Sequence, residues 1–191
     1  MATKKQILKS DVFNYSPALE RQYRIELKGL VDKMLKDVAE KIVNAYRKNK
    51  DGFTFATDGA FSNIDEELKD LEKKYREIFA RQGEEVAKRM VLRQLKYNRS
   101  SFTKIMKKLL PNDEEIPTLA GSIIPRDMEQ IIKASIMENV SLIKSIESKY
   151  FEQITGSVAR SMQAGGSIKQ LRQEILHYNG MTRRRANNIA N

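Results

Sequence analysis

The chain has no cysteine and no tryptophan, one histidine, and only four prolines and nine glycines in 191 residues. Each shortage excludes something. Without cysteine there is no disulfide framework and no thiolate metal site. With His177 alone, the histidine-pair metal motifs are ruled out. No run of about 18 apolar residues is present, so no segment has the make-up of a membrane-spanning helix. The opening stretch, MATKKQILKS, lacks the apolar centre of a signal peptide. There is no G-x-S-x-G nucleophile elbow and no G-x-x-x-x-G-K-[ST] phosphate loop. The acidic run Asp113-Glu114-Glu115 lies between prolines, where solvation is the default. No catalytic residue, cofactor or metal is expected from these residues, and the chain does not read as an enzyme.

What is present is charge on long amphipathic patterns. Lysine and arginine number 35 against 25 acids, a formal charge of +10, and apolar residues make up 40%. That balance suits long helices with wide solvated faces. The expected class is mainly α, with a long antiparallel helical pair followed by a smaller helical unit.

Ser16-Pro17 is a cap followed by a first-turn proline. Leu27, Leu30, Val31, Met34, Val38, Ile42 and Ala45 then recur at three and four residues, which predicts a helix ending near Arg47. Asp51-Gly52 and Asp58-Gly59 are turn signals around Phe53-Thr54-Phe55. Residues 51–61 read as a loop that can hold a short hairpin. Ser62 and Asn63 open a second long helix, with Ile64, Leu68, Leu71, Tyr75, Ile78, Phe79, Val86 and Met90 inward, running to about Lys96. Gly83 is a point where it can bend. Ser101 can cap a short third helix. Three of the four prolines fall in Pro111–Pro125, the natural linker. Residues 1–110 therefore form an N-terminal long-helix region, 111–125 a linker and 126–191 a C-terminal helical unit. Within that unit the sequence predicts helices over 127–138 and 142–163, a break at Gly165-Gly166, a short helix from Ser167, a turn at Asn179-Gly180 and a last helix from Thr182.

The positive charge is uneven. From Val91 to Leu110 there are six cations and no acid. Among them Lys104, Lys107 and Lys108 share one helix face. From Gly156 to Asn191 there are six cations against Glu174 alone. Such stretches suit a polyanion, nucleic acid first, and the plain alternative is a solvated face. The amphipathic 102–109 stretch could also lie on a membrane surface, but its shortness favours docking on its own protein. Arg183-Arg184-Arg185 is the sharpest cluster. Three successive residues cover about 200° of a helix, so they cannot all face one groove and at least one should turn towards the protein or a partner. They are candidates for phosphate or acidic-partner contact. At the start of a last helix they would also oppose its dipole.

The string Asn139-Val140-Ser141-Leu142-Ile143-Lys144-Ser145-Ile146, then Tyr150, resembles the head-morphogenesis family of minor head proteins, the Mu F-like proteins of tailed phages. That family has an N-x-x-L-I-x-S-I stretch, an aromatic on a long helix, a G-G-S type break like Gly165-Gly166-Ser167, a short helix, a Gly-Met-Thr type turn like Gly180-Met181-Thr182, and an R-A-x-x-I-A helix like Arg185-Ala186-Asn187-Asn188-Ile189-Ala190. The resemblance covers residues 124–191. The family pattern continues beyond the last of these helices, and Asn191 falls inside a helical pattern with no stop signal, so the expectation is of a longer protein.

The resemblance implies structural roles for Asn139, Leu142, Ile143, Ile146, Tyr150, Gly166, Gly180, Arg185, Ala186 and Ile189. It implies a minor capsid component acting in head morphogenesis, held at the portal vertex by the portal protein and other capsid components. Oligomerisation would follow from the portal ring. The setting would be the capsid interior, with the host cytoplasm during assembly. Double-stranded DNA would be a non-specific neighbour, genome ejection a process it could assist, and a membrane a disfavoured partner. The alternative is a helix-turn-helix DNA reader over 167–191, whose outline is helix, glycine turn, helix.

Overall fold

The computed structural model of the chain describes residues 16–51, 58–109, 126–164 and 167–190. Four helices fill them: α1 (Pro17–Asp51), α2 (Asp58–Leu109), α3 (Arg126–Gln163) and α4 (Ile168–Ala190). The mainly-α expectation holds, and no strand occurs among the described residues. The middle of the expected hairpin, 52–57, and the proline-rich linker lie outside those residues. The hairpin's flanks do not: Asp51 closes α1, and Asp58 to Phe61 open α2.

The helices are fewer and longer than the sequence reading predicts. α2 has 52 residues, about 78 Å at 1.5 Å per residue, and runs through Ser100-Ser101 without a break. α3 runs through Asn139-Val140-Ser141, and α4 through Asn179-Gly180. The physical reason is common to all three sites. Short polar side chains signal caps and turns because they compete for local backbone groups. Here those side chains are engaged elsewhere or bond backward along an intact helix. Thr103 Oγ1 donates to the Arg99 carbonyl at 3.0 Å. Asn139 Nδ2 donates to the Ser135 carbonyl at 2.9 Å, and its Oδ1 accepts from the Tyr23 hydroxyl of α1 at 3.0 Å. Thr182 Oγ1 donates to the Tyr178 carbonyl at 2.8 Å. Ser167, by contrast, caps as expected. Its Oγ accepts from the Gln170 amide while its own amide donates to the Gln170 side chain, a reciprocal box that starts α4.

The four helices pack in a ring, each antiparallel to its neighbours, as an up-down-up-down bundle. Ion pairs fix the α1–α2 register. Lys74 Nζ reaches Asp37 at 2.5 Å, Lys41 Nζ reaches Glu67 at 3.1 Å, and Arg89 and Arg93 both clasp Glu26, at 2.8 and 2.9 Å. Partial burial works against ionisation of Glu26, but hydrogen bonds from Arg89 and Arg93 prevail and hold its carboxyl below the usual range. Exposed pairs of this kind contribute little stability, so their value is in alignment.

Stability comes from the shared interior. Leu27, Met34, Val38 and Ile42 of α1 meet Leu71, Tyr75 and Phe79 of α2, Ile143, Tyr150, Phe151 and Ile154 of α3, and Leu171 and Ile175 of α4 in one buried cluster. α3 and α4 thus share the core of the N-terminal pair rather than closing one of their own. Full burial of each such side chain is worth about 1.5–3 kcal/mol. Tyr75 stacks near Phe151 with ring centroids 6.5 Å apart, and Phe151 meets Tyr150 edge-on at 5.6 Å.

Gly83 sits where α2 and α3 come closest. A Cβ there would lie 2.9 Å from Ile143 Cγ2, inside any normal contact. Ile143 is fully buried and β-branched, so it has little room to rotate away. Nearby, Glu147 of α3 is buried among these helices, and its Oε1 has no hydrogen-bond partner. Desolvation pushes its carboxyl up to about 7; Arg76 pulls it down and Glu72 pushes it up, each by less.

Two outcomes follow. Gly83→Ala gains about 1 kcal/mol of helix propensity but meets an overpacking cost of about 1–3 kcal/mol, so urea unfolding should show a net loss. Gly29→Ala, with nothing within 4 Å of its added carbon, should show a gain and serves as the control. Because the folded Glu147 pKa lies above its ordinary value of 4.5, its contribution is fully present below that value and is lost as pH rises through 7. Unfolding free energy should therefore fall between about pH 5 and pH 8, by up to about 3 kcal/mol, and Glu147→Gln should flatten that slope.

Candidate functional site

The arginine triplet is the natural starting point, and α4 sends its three members in three directions. Arg183 Nε donates to Asp32 Oδ1 of α1 at 2.7 Å. Arg185 Nη2 donates to Ser145 Oγ of α3 at 2.8 Å, and its Nε is buried without a partner. Arg184 is exposed, with its Nε 3.5 Å from the carbonyl of Gly180 on its own helix. So Arg184 stays on its own helix, while Arg183, itself exposed, and half-buried Arg185 tie α4 to its neighbours. The dipole argument also changes. α4 begins at Ile168, so the arginines lie in its second half rather than in a first turn, and the expected opposition disappears.

The turn needed for a helix-turn-helix reader is absent. Ile168–Ala190 is one helix, and Asn179 is buried inside the bundle instead of exposed at a corner. Its Oδ1 accepts from the Tyr150 hydroxyl at 3.1 Å, a bond closed off from solvent. Burial drives the Tyr150 phenol pKa far up, with Arg183 pulling weakly the other way. A two-helix reader cannot be built from these residues.

The family-like positions in α3 and α4 gather on one seam. Ile143, Ile146, Tyr150 and Ala186 are buried, and Ile189 packs against the same core. Asn139 ties α3 to Tyr23 of α1, and Arg185 ties α4 to Ser145 of α3. Leu142 is 40% exposed, so it is not part of the seam's interior. Gly180 lies mid-helix with open space where a Cβ would go, and Gly166 lies outside the described residues. Ser157 and Glu174 add a further bond across the α3–α4 seam.

The lysine cluster stands elsewhere. It is the last stretch of α2, not a separate short helix. Lys104 and Lys107 are exposed, Phe102 and Ile105 on the other side are half-buried, and the side chain of Lys108 lies outside the described residues. Ile143 lies against Gly83, and Ser145, two residues on, holds Arg185, so the arginines sit near the level of Arg81 on α2. Lys104 is then roughly 35 Å away along the axis at 1.5 Å per residue. The structure does not bring the two basic clusters together.

Two open apolar grooves complete the surface. One, of about 480 Å³, runs between α1 and α4 over Val43, Ile175 and Leu176, with Arg47 and Arg172 on its rim. The other, of about 460 Å³, lies along α3 over Ile136, Met137 and Val140. Among the described residues, no group of three histidines, cysteines or carboxylates could hold a metal ion, and no helix is long and apolar enough to cross a membrane. Comparison with known protein families, with characterised proteins and with solved structures finds no match to this chain.

Sequence reasoning missed the Tyr150–Asn179 pair, because Asn-Gly reads as a turn. It also missed Glu147. The sequence does carry a signal for Glu147: it follows Ile143 by four residues and Ile146 by one, on the apolar face of α3.

The Tyr150–Asn179 bond gives a direct test. Tyr150→Phe removes the donor and leaves a buried amide oxygen unpaired, which should cost about 1–3 kcal/mol in urea unfolding with the helix content unchanged by circular dichroism. A loss under about 0.5 kcal/mol would mean that the amide reaches solvent after all.

Proposed function

We propose that the protein is a minor head component of a tailed-phage particle, acting in head morphogenesis at the portal vertex inside the capsid. There it would meet packaged double-stranded DNA without reading its sequence, and it could assist the genome's exit. Its partners in this reading are the portal protein and neighbouring capsid components, and its oligomeric state is borrowed from the portal ring. No chemistry is assigned to it.

The observation that carries the reading is the N-x-x-L-I-x-S-I to R-A-x-x-I-A pattern of α3 and α4. Support also comes from where that pattern falls: Ile143, Ile146, Tyr150 and Ala186 are buried in the shared core, Asn139 binds α3 to α1, and Tyr150 and Arg185 bond across α3 and α4. A motif used for packing suits a structural protein better than one arranged around a cleft. The net charge of +10 suits residence beside a polyanion.

The decisive experiment looks for the polypeptide in particles. Mature heads carrying this gene are purified, and the chain is quantified by mass spectrometry against the portal and major capsid proteins. The reading expects few copies per particle and co-sedimentation with portal rings when the two are expressed together. Heads that lack the chain, together with portal rings that fail to retain it, would falsify the assignment.

A further inference from the structure

α2 outlasts its partners, and its overhanging end is where unpaired positive charge collects. Glu26 of α1 lies against Arg93, and α1 begins nine residues earlier at Pro17, level with about Phe102 of α2. Ile143 of α3 lies against Gly83, and α3 begins 17 residues earlier at Arg126, level with about Ser100. Beyond that level no other described helix runs beside α2.

Between Arg93 and the end of α2 there is no acidic residue. Arg89 and Arg93 are taken by Glu26, but Lys96, Arg99, Lys104 and Lys107 have no carboxylate partner among the described residues. Lys96, Lys104 and Lys107 are exposed, and Arg99 is half-exposed with its Nε unsatisfied. At about 100° per residue these four fall within an arc of roughly 140°, spread over about 17 Å of axis. Four cations on one side of the end of α2 would repel one another less with a polyanion to neutralise them. Of the acids at the same level whose side chains are described, Glu20 is held by Arg24, and on α3 exposed Glu129 is offset by exposed Lys133 one turn away.

We infer that the stripe Lys96, Arg99, Lys104 and Lys107 along the last part of α2, the first two beside the ends of α1 and α3 and the last two beyond them, and not the arginine triplet of α4, is the surface on which this protein takes the phosphate backbone of double-stranded DNA. This deepens the reading above and rests on its DNA contact. A band of side chains spread along one side of a helix suits a charged rail of repeating phosphates better than a single phosphate group. It neutralises backbone charge and supplies no groove-reading geometry, so binding is blind to sequence.

The test is fluorescence anisotropy of the full chain with two labelled 20-base-pair duplexes of unrelated sequence, across a salt series from about 50 to 200 mM. Four phosphate contacts predict a slope of log affinity on log salt of about −3.6, a loss of about 150-fold over that range, and equal affinity for both duplexes. The variant Lys96→Gln/Arg99→Gln/Lys104→Gln/Lys107→Gln should bring the slope near zero while its circular dichroism and melting midpoint stay those of the parent. Arg184→Gln should shift the slope by no more than about one contact. Duplex binding that survives in the quadruple variant with its slope intact overturns this surface and leaves the DNA contact of the proposed function standing. No duplex binding by the parent chain removes both. Binding to phosphatidylserine–phosphatidylcholine vesicles in place of duplex, lost in the same variant, would make the stripe a membrane surface and overturn the inference.

Discussion

Ile143 rests on the backbone of α2 because residue 83 has no side chain. Much of the interior depends on this approach. It draws α2 and α3 close enough for Tyr75 and Phe79 to interleave with Tyr150 and Phe151, and these are among the largest buried groups in the molecule. Glu147 is buried at the same seam, where Arg76 and Glu72 act on its carboxyl and its Oε1 has no hydrogen-bond partner. A tight apolar seam and a buried carboxyl thus lie together. The packing gained along the seam offsets the cost of dehydrating a single acid.

Class and faces were legible in the sequence, and continuity was not. Leu27, Leu30, Val31, Met34, Val38 and Ile42, and likewise Ile64, Leu68, Leu71, Tyr75, Phe79 and Val86, were placed inward by periodicity, and they are buried. Periodicity reports an angle around one axis, so it survives any error about where a helix ends. Helix ends depend on what polar side chains do, and that depends on partners far away in sequence. Asn139 answers to Tyr23, 116 residues earlier, and Asn179 to Tyr150, 29 residues earlier. A local reading takes both for breaks. The same limit applies to the candidate site. That Arg183 to Arg185 must diverge was plain from helical geometry, but that Asp32 and Ser145 receive two of them was not.

Charge is sorted by that folding. In the sequence the arginine triplet is the densest positive feature, yet the bundle draws most of it into its own joints. The stretch from Val91 onward looks more diffuse, and Glu26 takes Arg93 from it, but among the described residues no carboxylate pairs with the cations after Arg93. A charge is available to a partner in proportion to how little the fold needs it. The density of basic residues along a sequence is a weaker guide than the register of the helices that flank them.

The hydroxyls of Tyr23 and Tyr150 have one more consequence. Apolar faces repeating at three and four residues are nearly interchangeable from turn to turn, so greasy contacts alone would let helices slip past one another. Two buried phenols, each seated on a particular asparagine at a different height, act as detents. Sliding either helix by a turn would unseat them. The two phenols therefore hold α3 in a single register against α1 on one side and α4 on the other.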